Sequence, residues 1–194
     1  IYGAGRVKEL YYSQVFDDFS VDFIQDDIGL PADIGHYADP LSKGRTIDGL
    51  DSVVLGATEV DTGFNVNVNT HSDGRLLHGI GGHQDVSAGS NLTIITAPVY
   101  RKSNPIIREK VTTITSPGDI IDAIVTNQGI AINPKRKDLL KVLRGKIDIV
   151  EITDLKKIAY DATGGPQEPK LGSEIIGLTK YFDGTVLDNI YQVL

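Results

Sequence analysis

Cysteine is absent from the 194 residues, so the chain has no disulfide framework, no thiolate nucleophile and no cysteine metal site. Methionine is absent too. Either that depletion is real, or modified methionines are missing from the written sequence and spacings beside them shift by one residue. No apolar run approaches bilayer-spanning length, no secretory leader is visible, and no repeat or low-complexity tract appears. Basic excess is also lacking: the formal net charge is −7, which argues against a general nucleic-acid binder. From these absences a cytoplasmic location is expected, with neither nucleic acid nor membrane as partner.

The length suits one domain with a real core, and no internal linker is long enough to separate two. Because the chain starts at Ile1, a fragment of something longer is expected. The apolar and turn patterns give its elements in order. Val7, Leu10, Tyr11, Val15 and Phe19 fall near a helical period over 7–23. Residues 26–43 read as loop. Strands are predicted at 50–57, 64–69, 92–97, 106–114, 120–126, 129–132 and 147–152. Pro134 opens a helix at its permissive first turn, and Thr153 caps another to about residue 162, which Gly164-Gly165-Pro166 stops. Residues 174–182 and 185–193 flank Asp183-Gly184 as a hairpin. Alternating strands and helices through the middle make this an α/β fold, a mixed sheet covered by helices with a C-terminal β-hairpin.

Gly79 to Pro98 carries the strongest local signal. Gly79, Gly81, Gly82 and Gly89 permit a positive φ or a close backbone approach to a ligand. Gln84 to Gly89 can open a helix whose free N–H groups suit an anion. Glu59 follows a buried-type strand, where open α/β sheets place ligand-contacting groups. It either positions a substrate hydroxyl or moves a proton, or else caps local N–H groups. Asn65 and Asn67 share one face of an alternating strand and so can face one ligand, the competing reading being solvent or loop bridging. His83 either hydrogen-bonds a carboxylate or is structural. Asp85 is the first-turn acid of its helix. His36, His71 and His78 show no metal-ligand spacing, and no metal is expected. Lys135, Arg136 and Lys137 either touch phosphates or form a solvated helix face.

Three segments together resemble the C-terminal half of the citrate lyase alpha subunit family, within the CoA-transferase superfamily. They are Leu55-Gly56-Ala57-Thr58-Glu59-Val60-Asp61-Thr62-Gly63-Phe64-Asn65-Val66-Asn67-Val68, the glycine segment, and Val111 to Pro134. The likeness covers most of the chain, in order and spacing, and is least specific over 24–49 and the C-terminal tail. It implies a CoA-transferase-like fold of the sugar-phosphate isomerase/CoA-transferase type, here as the C-terminal half of a two-domain subunit holding half a site. The implied reaction is acyl exchange on a CoA-like thioester: citrate displaces acetate from acetyl carrier protein, giving citryl carrier protein. The implied partners are the beta (lyase) and gamma (acyl carrier) subunits in an oligomer. No tightly bound cofactor is implied beyond the carrier's thioester group, for which acetyl-CoA is a surrogate.

Within that resemblance Glu59, Gly81 and Gly82 are the catalytic candidates, and Asn65, Asn67, Gly79 and His83 the candidates for binding substrate or CoA. Backbone N–H groups at Gly79, Gly81 and Gly82 would hold thioester or carboxylate oxygens; a tight structural turn is the alternative. The Ser-Glu-Asn-Gly motif of the covalent CoA transferases is missing, since the only glutamate before Glu59 is Glu9. Direct transfer in a ternary complex is therefore expected. One departure stands out: where family members commonly read Ala-Gly-Ala-Lys-Leu, this chain has Ala88-Gly89-Ser90-Asn91-Leu92, without the positive charge. The alternatives are a CoA transferase for another small carboxylic acid and a non-catalytic ligand-binding domain of the same fold.

Overall fold

The computed structural model describes residues 8–12, 18, 21–22, 29–33, 37–39 and 42–194. Its contacts divide the chain into two compact units, 1–48 and 49–194.

In the first unit, β1 (Tyr11–Tyr12) and β2 (Leu30–Pro31) pair in parallel, Tyr11 opposite Leu30. The helix expected over 7–23 is thus interrupted: Tyr11 and Tyr12 are extended, while Asp18, Val21 and Asp22 are helical. Val7, Val15 and Phe19 of that expectation lie outside the described residues, as does His36. The loop expected at 26–43 contains β2, because Leu30 donates to the Leu10 carbonyl and Ala32 to that of Tyr12. A 3-10 turn, Thr46–Gly49, follows.

The second unit holds two small mixed sheets, a strand pair and a long hairpin. β3 (Val53–Gly56) leads to β4 (Glu59–Asp61) and β5 (Val66–Asn67); then come α1 (His83–Gly89) and β6 (Thr93–Thr96). The short strands β7 (Tyr100–Arg101), β8 (Asn104–Pro105) and β9 (Ile107–Arg108) follow. A 3-10 turn, Gly118–Ile120, precedes β10 (Ala123–Thr126) and β11 (Gly129–Ile132). The chain continues through α2 (Lys137–Leu143), α3 (Ile152–Thr163), β12 (Leu171–Lys180) and β13 (Val186–Val193).

The four-stranded sheet has the order β11-β10-β6-β3, with β6 parallel to both β3 and β10 and β11 antiparallel at the edge. The parallel strands bury chiefly one face: in β3 Val54 is exposed between half-buried Val53 and Leu55, and in β6 Thr93 and Ile95 are buried while Thr96 is exposed. The three-stranded sheet runs β5-β4-β9, with β4 antiparallel to β5 and parallel to β9. One core joins the two sheets: Val60, Val66, Ile95, Ile107, Ile121 and Ile124 are fully buried within it. The helix α3 adds Ile152, Leu155 and Ala159 at spacings of three and four, one helical stripe; burying Leu155 contributes about 1.5–3 kcal/mol. Gly164, at φ +80°, closes α3 with its N–H on the Tyr160 carbonyl, the left-handed stop that glycine allows.

Several sequence-derived boundaries move. The strand expected over 106–114 is only Ile107–Arg108, because beyond it the Thr112 N–H and hydroxyl turn to the Glu59 carboxylate. Pro134 does not open its helix; the Asn133 carbonyl and side chain turn the chain first, through the N–H groups of Arg136 and Lys135. Thr153 lies inside α3, whose cap is Glu151 with no side-chain bond. The strand expected over 147–152 shrinks to two isolated bridges, Ile147 with Arg144 and Ile149 with Ile130. The hairpin forms as expected around Asp183-Gly184, Gly184 at φ +90°.

Candidate functional site

The Glu59 carboxylate is the polar centre of the second unit. It is fully buried on β4 and ion-paired with Arg108, itself 1% exposed on β9. Its Oε2 accepts the Thr112 backbone N–H at 2.7 Å and Asn67 Nδ2 at 3.0 Å. Its Oε1 accepts Thr112 Oγ1 at 3.0 Å, the Ser72 hydroxyl and Arg108 Nη1. Parallel pairing of β4 with β9 sets Arg108 opposite Asp61, on the face that Glu59 shares two residues earlier, and the donors around the Glu59 carboxylate satisfy it as burial demands. Contact between Glu59 and a substrate would require these bonds to open. Asn104 Nδ2 donates to Ser72 Oγ at 2.8 Å, and Ser72 and Asn104 line a cleft of about 400 Å³.

Asn67 belongs to this network. Besides Glu59 it bonds Thr70, and its Oδ1 accepts the N–H groups of Asn69 and Thr70. Asn65 does not. Its Nδ2 faces Asp61 at 3.1 and 3.2 Å, and its Oδ1 accepts the Gly118 N–H at 2.9 Å. The two asparagines therefore diverge, for a local reason. Phe64 sits at φ +65°, rare for an aromatic residue, and only Val66–Asn67 is extended. The strand is not half-exposed either, since Phe64, Val66, Asn67 and Val68 are all buried. Asp61 holds this turn by accepting the N–H groups of Gly63 and Asn65 at 2.9 and 3.0 Å. Across it, a Cβ on Gly118 would meet the Gly63 carbonyl oxygen at 2.0 Å, so only glycine fits.

The glycine segment forms an exposed turn leading into α1. Gly79, Gly81 and Gly82 are exposed, and a Cβ on any of them meets nothing within 4 Å. Gly81 takes φ +62°. Among the described residues no group accepts the N–H of Gly79, Gly81 or Gly82. Both ends of the turn are anchored. Asn69 receives the Leu77 N–H on its carbonyl at 2.8 Å and donates Nδ2 to the His78 carbonyl. At the other end His83 is 9% exposed, with Nδ1 2.8 Å from Ser116 Oγ and Nε2 3.2 Å from the Gly56 carbonyl oxygen. A carbonyl only accepts, so Nε2 carries the proton and Nδ1 accepts from Ser116. Burial lowers the His83 pKa, with the Gly56 contact acting the other way. Both ring nitrogens are thus committed inside the fold.

The structure therefore brings Glu59 and Asn67 together and Gly79, Gly81, Gly82 and His83 together, and turns Asn65 toward Asp61. Lys135 and Arg136 are tied inward, Arg136 to Asp122 at 3.0 Å and Lys135 to the Asp119 carbonyl. Asp85 is in the first turn of α1. Among the described residues no cluster of three or more potential metal ligands occurs, and no helix is long and apolar enough to cross a membrane. Sequence reasoning missed Arg108, Thr112, Ser72 and Asp61. The signal for the first was present: opposite charges inside two apolar stretches, Glu59-Val60 and Ile106-Ile107-Arg108, must find each other or unfold the sheet.

Comparison with known proteins gives the family. The family model for the citrate lyase alpha subunit matches residues 1–193. The citrate lyase alpha chain of Haemophilus influenzae is 38% identical over the whole chain, which spans 39% of that protein. The Klebsiella pneumoniae citrate lyase alpha chain is 41% identical over 97% of this chain and 38% of its own length. A protein assigned as the citrate lyase alpha subunit of Streptococcus mutans, solved in complex with citrate, superposes with a TM-score of 0.92 at 38% identity. That match covers 99% of this chain and 38% of the other. With a family match over residues 1–193 and relatives 38–41% identical over nearly the whole chain, the chain belongs to the citrate lyase alpha subunit family.

Proposed function

We propose that this chain is the C-terminal part of a citrate CoA-transferase, the alpha subunit of a cytoplasmic citrate lyase working with lyase and acyl-carrier subunits. In the reaction, a citrate carboxylate oxygen attacks the acetyl thioester of the carrier and expels its thiolate, leaving a mixed citric–acetic anhydride. The thiolate then attacks the citryl carbonyl and expels acetate, so the carrier ends as citryl thioester. Each attack puts negative charge on a carbonyl oxygen, and oriented donors at that oxygen are the largest help a protein can give. Holding acid and thioester together supplies the other large term.

The observation that carries this reading is the exposed turn at Gly79, Gly81 and Gly82, whose N–H groups have no partner among the described residues. Its lack of side chains lets a thioester approach the backbone. His83 and Asn69 keep the turn in place from beneath, and Glu59 acts as a positioning residue by tying Ser72, Asn67 and the 108–112 loop together. The Streptococcus mutans relative, solved with citrate, supports citrate as the acid. The rest of the full-length subunit would complete the site.

The test uses the full-length subunit with acetyl-CoA and a panel of carboxylic acids, products followed by mass spectrometry. Citryl-CoA with free acetate is expected. A different acyl-CoA would retain transfer and discard citrate. Gly82 lies at φ −82° with open space at its Cβ, so Gly82→Val folds but blocks the approach. Its expected effect is a loss of about 10²-fold or more in transfer rate with an unchanged unfolding midpoint; full activity would remove the turn from the site.

A further inference from the structure

The C-terminal hairpin packs with one face only. Inward, Thr179 and Ile190 are buried, the Thr179 hydroxyl donates to the Ile114 carbonyl at 2.8 Å, and the Asp188 carboxylate accepts the Ile114 N–H at 2.9 Å. Alternation then turns Leu178 and its cross-strand partner Asn189 outward. The register slips between Ile175 and Gly177, and this irregularity leaves two consecutive isoleucines in solvent, as a bulge does. Ile175, Ile176 and Leu178 are 50%, 59% and 48% exposed, and exposed Phe182 and Val186 extend the apolar surface toward the tip. No charged residue interrupts Ile175–Thr179. A two-stranded ribbon draws its stability from what packs on its faces, and contiguous exposed apolar patches mark interaction sites. The hairpin is also tied to the glycine turn. Gln84, buried in the first turn of α1 just after Gly82, donates Nε2 to the Lys180 carbonyl at 3.0 Å.

We propose that the outer face of the hairpin, centred on Ile175, Ile176 and Leu178, is the docking surface for the remainder of the full-length subunit. This rests on the reading of the chain as one part of a longer subunit. The chain spans 39% and 38% of the length of the Haemophilus influenzae and Klebsiella pneumoniae alpha chains, so most of such a subunit lies outside it. A segment of the same polypeptide meets the face at a high effective concentration that a second copy does not have. The uncharged centre points the same way, because permanently covered interfaces are more apolar than those of partners that come and go. Through Gln84, the docked part is coupled to the helix that the glycine turn opens.

The test places a single thiol on this face of the full-length subunit, as Ile176→Cys and separately Leu178→Cys. Residues 1–194 contain no cysteine of their own to compete. Maleimide labelling of each site is followed by peptide mass spectrometry, in the native subunit and in urea. Labelling about tenfold or more slower in the native subunit is expected, since a docked site reacts only through local opening. A benzophenone maleimide on Ile176→Cys then identifies the cover. A product of single-subunit mass on a denaturing gel, joined to a peptide outside residues 1–194, is expected. Native labelling at the urea rate would overturn the proposal, as would a product of double mass, which assigns the face to a second copy. Acyl transfer by the wild-type subunit is read separately. Transfer with an unprotected hairpin sinks only the docking surface, and protection without transfer sinks only the proposed reaction.

Discussion

At the scale of single residues, the chain invests its least forgiving chemistry in two buried carboxylates that behave differently. Asp61 is held by backbone N–H groups and the Asn65 amide, whereas Glu59 faces a buried guanidinium. Removing the charge of one partner of a buried pair leaves the other uncompensated. Glu59→Gln keeps the shape but strands the Arg108 charge, so it should lower stability by about 3–5 kcal/mol, measured as the shift in urea unfolding. A loss below 1 kcal/mol would mean that the pair contributes little to folding. In sequence Glu59 stood out, but its partner did not. Asn67 joins the Glu59 network, yet its expected companion Asn65 turned elsewhere because one residue, Phe64, takes a positive φ. Side-chain periodicity does not survive such a kink.

At the scale of elements, stability is uneven. The strands β6 and β10 lie at the centre of the four-stranded sheet, with Ile95 and Ile124 fully buried. By contrast α2 buries none of its residues, and its seven-residue length gives little intrinsic helicity. Native-state hydrogen exchange should show α2 opening with a much smaller free energy than β6 and β10; equal protection would mean that another surface covers α2. Elements with clean punctuation were readable from sequence: the Asp183-Gly184 hairpin, the Gly164 stop and the β11 strand all fall where turn chemistry puts them. The 106–114 stretch was not. Its apolar β-branched pattern reads as one strand, but the Glu59 carboxylate draws the Thr112 N–H out of any sheet. A long-range polar contact there outweighs local propensity.

For the whole molecule, pH acts through the buried His83 imidazole. His83 has its pKa lowered from 6.5 by burial, so below pH 6.5 the unfolded chain takes up a proton that the folded chain resists. The more protonated unfolded state makes stability rise with pH in that window. The contribution of His83 should thus be fully present above about pH 6.5 and decline as the pH falls toward its lowered folded value. Comparing urea midpoints of the wild type and His83→Gln across this range checks it: the wild type should show the steeper fall, and parallel curves would refute the assignment. The sequence by itself determined the fold class, the family and the glycine turn, because these rest on local punctuation and on residue order along the chain. Only the tertiary structure decided that Glu59 is enclosed by Arg108, Ser72 and Thr112, and that His83 faces inward. Those facts depend on which strands lie side by side, and strand pairing is set by the burial of the whole core rather than by any one segment.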